Sequence, residues 1–78
     1  MTIFYAVKAV DDLKEIDCQT REAVIKTVDR YAADPEHSGL RVKRIENSRT
    51  FYLDMNRCRI MLNIDTDDGG RVEVVGVV

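Results

Sequence analysis

From Thr50 to Ile64, apolar and polar residues alternate through two short runs separated by a single break. Phe51, Leu53 and Met55 alternate with Tyr52 and Asp54 in the first run. Cys58, Ile60, Leu62 and Ile64 alternate with Arg59, Met61 and Asn63 in the second. A period of two marks a strand with one buried face, because successive side chains point to opposite sides of a pleated backbone. The break at Asn56-Arg57 places a turn-forming asparagine where the apolar run stops. The stretch predicts a tight hairpin, and its apolar face requires a cover from elsewhere in the chain.

The preceding residues supply that cover. Ile3, Phe4, Tyr5 and Val7 are β-branched or aromatic and predict a first strand over 2–7. Val10, Leu13 and Ile16 recur every third residue and predict a short helix over 8–16, with Asp11 and Asp12 in its first turn at the positive end of the dipole. Asp17 is a suitable N-cap for a second helix over 18–33, where Val24, Ile25, Val28, Tyr31 and Ala32 form an apolar stripe. Arg21, Glu22, Lys26, Asp29 and Arg30 fill its solvent side, with Glu22 and Lys26 in the favourable i, i+4 order. The join between the helices is tight and predicts an antiparallel helical hairpin.

Pro35 disfavours helical geometry at Asp34 and ends the second helix. A strand over 40–46 carries three basic residues, and Asn47-Ser48 turns it into the central hairpin. Residues 65–70, with Asp67-Asp68-Gly69-Gly70 at the tip, form a hairpin connection to a last strand over 71–78. On that strand Val72, Val74 and Val78 share one face, and Glu73, Val75 and Val77 the other. Valines on both faces leave two options: burial on both sides, or an unprotected edge open to self-association as a homodimer. The expected fold class is α+β. An N-terminal strand and a two-helix hairpin are followed by a mainly antiparallel four-strand meander, in one domain spanning 1–78.

Composition narrows the function. An apolar share of 45% suits a folded domain. No apolar run is long enough for a membrane span, and no signal peptide is evident, so a cytoplasmic location and no membrane partner are expected. Cys18 and Cys58 read as small core hydrophobes. A single histidine, His37, in a loop argues against a metal site, and no cofactor is expected. The acidic run after Ile64 lacks a carboxylate at the twelfth position of a calcium loop, where Gly76 stands, so it reads as a turn. The net charge of −2 is no signature of a nucleic-acid binder, but the charge is segregated. Acidic residues crowd the first third, while Arg41, Lys43, Arg44, Arg49, Arg57 and Arg59 crowd the middle and could form a local basic face.

The element order, the Ala33-Asp34-Pro35 helix stop, the segment from Gly39 to Ile45 and the Arg59–Ile64 strand together resemble the RelE/ParE toxin superfamily, over essentially the whole chain. The resemblance implies a small toxin of a bacterial toxin–antitoxin system, neutralised by an antitoxin protein that wraps around it. One branch of that superfamily cleaves messenger RNA in the ribosomal decoding site, as an mRNA interferase; another inhibits DNA gyrase. Some solitary relatives have no established activity. Arg59 matches the arginine of the family's strand motif, with Cys58 in place of the usual tyrosine before it. Lys43, Arg44 and Ile45 match the basic pair and the apolar residue after it. Tyr52 and Asp54 stand where RNA-cleaving members alternate lysines. Members continue beyond the position of Val78 into a basic, tyrosine-containing stretch that serves acid–base chemistry and phosphate binding, so a form ending at Val78 is expected to be weakened or inactive as a nuclease.

Cleavage of RNA through its 2′-hydroxyl needs a base, an acid and cations that stabilise charge on phosphorus. The arginine fork fits the third role, and Arg59 is the catalytic candidate, with Lys43, Arg44 and Arg57 as nucleic-acid-binding support. The alternative for Arg59 is a solvent-facing strand residue paired with Asp54 or Glu73. His37 and Tyr52 are poor candidates for the base: the first lies in a solvated loop, and the second has a phenol that ordinarily titrates near 10. Three functions follow as expectations: a toxin acting on translation, a non-catalytic protein-binding module of the same fold, and a gyrase inhibitor.

Overall fold

The alternating stretch forms two neighbouring strands at the heart of a five-stranded sheet. A computed structural model describes all 78 residues. The elements are β1 (Thr2–Tyr5), α1 (Val7–Lys14), α2 (Cys18–Ala33), β2 (Val42–Arg44), β3 (Thr50–Asp54), β4 (Arg59–Asp65) and β5 (Arg71–Val77). The sheet order is β1-β5-β4-β3-β2. β2 to β5 form an antiparallel meander, and β1 lies parallel to β5. The two helices carry the chain from one edge of the sheet to the other, and the meander then walks back until β5 lands beside β1.

Burial follows the alternation. Leu53, Ile60, Leu62, Val72 and Val74 face the helices, and Ala9, Leu13, Val24, Val28 and Ala32 meet them from the other side. Ile60, Val24, Val72 and Val74 have no exposed surface. The opposite face of the sheet carries no helix. Tyr52, Asp54, Arg59, Met61 and Asn63 line it, as the period of two requires.

The expectation of an unprotected C-terminal edge is corrected. β5 is an interior strand, paired with β4 along its length and with β1 over Arg71–Val74, so Val72, Val74 and Val77 answer to burial and β5 is not the edge strand that such a homodimer would use. The exposed edges are β1 and the three-residue β2, whose Lys43 and Arg44 are the kind of charged guards that discourage edge pairing.

The facing of β5 also differs from strict alternation. The register steps from Met61↔Gly76 to Leu62↔Val74, leaving Val75 as the extra residue of a β-bulge. Past the bulge the parity changes. Val77 is therefore buried, while Val78 is 77% exposed, the reverse of the facing expected from sequence. The N–H of Val77 then finds its acceptor in Asp12 Oδ2, at 2.9 Å. The same oxygen accepts from Lys8 Nζ at 2.8 Å. The first turn of α1 contains no acidic residue, because the helix begins at Val7, so Asp12 does not serve the dipole as expected but ties α1 to the bulge.

These bonds hold the Asp12 carboxyl below its ordinary titration range, the Lys8 hydrogen bond first and the Val77 amide second. Thr20 does the same for Asp17, the α2 N-cap, through its hydroxyl and its backbone amide. A carboxyl depressed in the folded state stabilises the fold above its unfolded-state value, about pH 4, and that contribution is lost as pH falls toward the folded value. We predict that acid unfolding followed by circular dichroism begins below about pH 4. Asp12→Asn should lower the neutral-pH melting temperature and flatten the acid limb.

Arg21 lies half-buried rather than on the solvent side of α2. Its Nε donates to the Leu13 carbonyl at 2.8 Å and its Nη2 to that of Ile16 at 3.1 Å. These carbonyls lie at and just beyond the end of α1, where acceptors lack helical partners. One side chain thus closes the join between the helices. Cys58 packs against the core and burial pushes its thiol up, but Cys18 is exposed at the start of α2 and is no core residue.

Candidate phosphate-binding face

The hairpin turn decides which groups meet on the open face of the sheet. Met55 N–H donates to the Cys58 carbonyl at 2.8 Å, which leaves Asn56 and Arg57 as the loop. That closure sets Asp54 directly opposite Arg59, and Tyr52 opposite Met61. Cross-strand partners share a face. Arg59 Nε donates to Asp54 Oδ1 at 2.7 Å. The guanidinium carbon lies 4.3 Å from the centre of the Tyr52 ring, a cation–π contact. The hydrogen bond that Arg59 donates to Asp54, then the charge of that carboxylate, makes Arg59 still harder to deprotonate. Arg59 is a permanent cation set over an aromatic ring, with one carboxylate on its Nε.

Lys43 joins this group from the edge. It pairs with Tyr52 in the β2–β3 register and is exposed, so its ammonium projects from the same face. A shallow groove lined by Gly39, Leu40, Arg41, Lys43, Leu53 and Asp54 runs from there past the loop after α2.

The other two basic candidates are elsewhere. Arg44 alternates with Lys43 along β2, pairs with Phe51 and donates through Nε to the Ser48 carbonyl at 2.8 Å. Arg57 is in the loop and borders a cleft with Asp17, Gln19 and Thr20 at the start of α2, where its charge helps to depress Asp17. The cluster read from sequence is therefore divided, with Arg59 and Lys43 on the open face and Arg44 and Arg57 off it.

Of the two candidates weighed as the base, Tyr52 lies against Arg59 and His37 stands apart from it. The His37 ring lies 3.1 Å from Asp34 Oδ1, in the loop that follows α2. Burial pushes the Tyr5 and Tyr31 phenols up, with the negative charge of Asp29 adding to the effect at Tyr5, which unsuits both for proton abstraction near neutrality. The backbone of Arg59 exchanges two 2.8 Å hydrogen bonds with Val78. The end of β5 thus lies beside the Arg59 backbone.

A second feature of this face was not foreseen. At the far end of the sheet a groove of about 880 Å³ is lined by Phe4, Arg49, Thr50, Asn63, Arg71 and Glu73, among others. Phe4 is 47% exposed, and the Arg71 guanidinium lies 5.6 Å from its ring centre. Its formation depends on the parallel pairing of β1 with β5, which sets Phe4 beside Glu73 and which local sequence patterns do not reveal. Asp54, by contrast, had a readable signal, since a two-residue loop at Asn56-Arg57 already places it opposite Arg59.

No protein-family model matches the chain, and no curated protein sequence matches it. Solved structures do. A chain of the toxin–antitoxin complex RelBE2 from Mycobacterium tuberculosis superposes with a TM-score of 0.78 at 21% identity, over 97% of this chain and 93% of that one. A chain of the RelB–RelE antitoxin–toxin complex from Methanococcus jannaschii gives 0.76 at 16% identity, over 96% and 87%. A chain of the intact Escherichia coli RelBE complex gives 0.75 at 11% identity, over 97% and 92%. With its N-terminal strand, two helices and mostly antiparallel five-stranded sheet, the chain has the RelE-like toxin fold.

Proposed function

We propose that this chain is the toxin-like component of a toxin–antitoxin pair and acts on translation, as a ribosome-dependent mRNA endoribonuclease or a relative that has kept binding and lost cleavage. The observation that carries the reading is the position of Arg59. Within a RelE-like fold that spans 97% of the chain, the matching arginine stands on the uncovered face of the sheet, with the Lys43 ammonium projecting from the same face. A guanidinium backed by an aromatic ring and open along its remaining N–H edge suits bidentate capture of a phosphodiester. In this reading Arg59 grips the phosphate at the reacting position and Lys43 a neighbouring one. Arg44 and Arg57 contribute only at the periphery of an RNA path. The solved neighbours are complexes with antitoxins, which supports an antitoxin partner here.

Inducible expression in a bacterial host tests the proposal. Growth arrest within a few generations, relieved by co-expression of the cognate antitoxin, is the expected result. Unimpaired growth with soluble, folded protein in the cell would remove it.

A second reading is favoured by one feature. Arg59 is already paired with Asp54, and no histidine stands beside it. A binding module without catalysis would need neither acid nor base, and it would hold a protein partner through an exposed sheet edge or the groove between helices and sheet. Growth arrest without cut messenger RNA would distinguish it from the nuclease. Inhibition of gyrase, the third expectation, would be visible as loss of DNA supercoiling.

A further inference from the structure

We propose that Asp54 is an acidic gate on Arg59, which holds the guanidinium against the Tyr52 ring and competes with any phosphate for it. The inference rests on the reading of Arg59 as the phosphate-gripping residue, and it concerns how that grip is regulated. Three observations carry it. Asp54 and Arg59 are direct cross-strand partners on one face, so the backbone register keeps their side chains within reach of each other. The Nε–Oδ1 distance of 2.7 Å is that of a charge-assisted hydrogen bond. The guanidinium is held from a second side by the ring of Tyr52, 4.3 Å from its carbon.

The consequence is electrostatic as well as geometric. A carboxylate on Nε occupies the side edge of the arginine fork, where two parallel N–H groups could otherwise take a phosphate. It also places a negative charge within a few ångströms of an incoming anion. Both side chains of the pair are 51% exposed, so water screens the interaction. The gate is therefore weak enough to be opened by a ligand that brings further contacts, such as an RNA chain that also reaches Lys43, and strong enough to disfavour an isolated phosphate. Discrimination follows from this balance: single phosphate groups are refused and a polyanionic strand is accepted.

The test uses the full chain, with the Arg59 Nε–Hε signal followed by nuclear magnetic resonance during titration with inorganic phosphate. For Asp54→Asn, which keeps the shape and removes the charge, the midpoint is expected to fall about fivefold, as for loss of one nearby screened charge. Asp54→Glu restores the carboxylate and should leave the midpoint near that of the parent. Asp54→Asn combined with Arg59→Ala, followed through the Tyr52 backbone amide because the arginine signal is gone, should show no tightening relative to Arg59→Ala alone, which assigns the effect to this guanidinium. A merely structural Asp54 would lower the melting temperature without tightening phosphate. An unchanged or weaker midpoint in Asp54→Asn overturns the gate. The functional reading is tested apart from it by protein synthesis in a reconstituted translation reaction. Synthesis untouched by the parent and by Asp54→Asn would remove that reading, while the phosphate titration alone decides the gate.

Discussion

Ile60→Ala is expected to remove roughly a quarter to three quarters of the stability of the fold. Ile60 has no exposed surface and sits on β4, with β3 on one side, β5 on the other and the helices above. Truncating such a side chain forfeits its burial and leaves a cavity, at a typical cost of about 3 kcal/mol. A domain of this size holds only about 4–12 kcal/mol in total. Thermal melts followed by circular dichroism should therefore show a fall of roughly 15 °C or more. The neighbour supplies the control. Met61 projects from the open face, half-buried, and Met61→Ala should cost less than half as much. Equal losses at the two positions would mean that the period-two facing of β4 is wrong.

The second large effect concerns activity. Arg59→Ala is expected to abolish growth arrest while leaving the melting temperature almost unchanged. The side chain is half exposed and its partner Asp54 equally so, and pairs of this kind contribute little to folding. Its loss would remove the group best placed to hold a phosphodiester, and the removal of one such contact commonly lowers rates by about a hundredfold. Arg59→Lys should not rescue, because an ammonium lacks the planar fork. Lys43→Ala should weaken the effect without abolishing it. Arg44→Ala and Arg57→Ala should be nearly silent, since Arg44 serves the Ser48 carbonyl and Arg57 faces Asp17. Viable counts after induction, with protein levels matched, measure all five. Growth arrest that survives Arg59→Ala would move the functional site off this face.

Much of the architecture was legible because it is local. The alternation of Phe51, Leu53, Ile60 and Leu62, the Asp17 cap and the Pro35 stop each act within a few residues, and each element they predicted is present. What was not legible depends on pairing across the chain. The interior position of β5 follows from β1 lying beside it, and no residue in Arg71–Val77 by itself distinguishes an interior strand from an edge. The bulge at Val75 reversed the facing of Val77 and Val78, and its compensating acceptor, Asp12, lies 65 residues away in sequence. At the site, a basic cluster in one dimension became two groups in three. Adjacent residues on a strand point to opposite faces, so Lys43 and Arg44 could never have served the same surface. The pairing of Arg59 with Asp54, one of the two options open from sequence, is the one the structure contains.

Arg59, on the open sheet face, is proposed to act on the translation machinery. The most direct measurement is protein synthesis in a reconstituted translation reaction, with the messenger RNA mapped afterwards by primer extension. The account predicts that micromolar parent protein suppresses synthesis and that Arg59→Ala, equally folded, does not. New messenger RNA ends at ribosome-occupied codons would identify the action as cleavage. Full synthesis in the presence of excess parent protein would contradict the account.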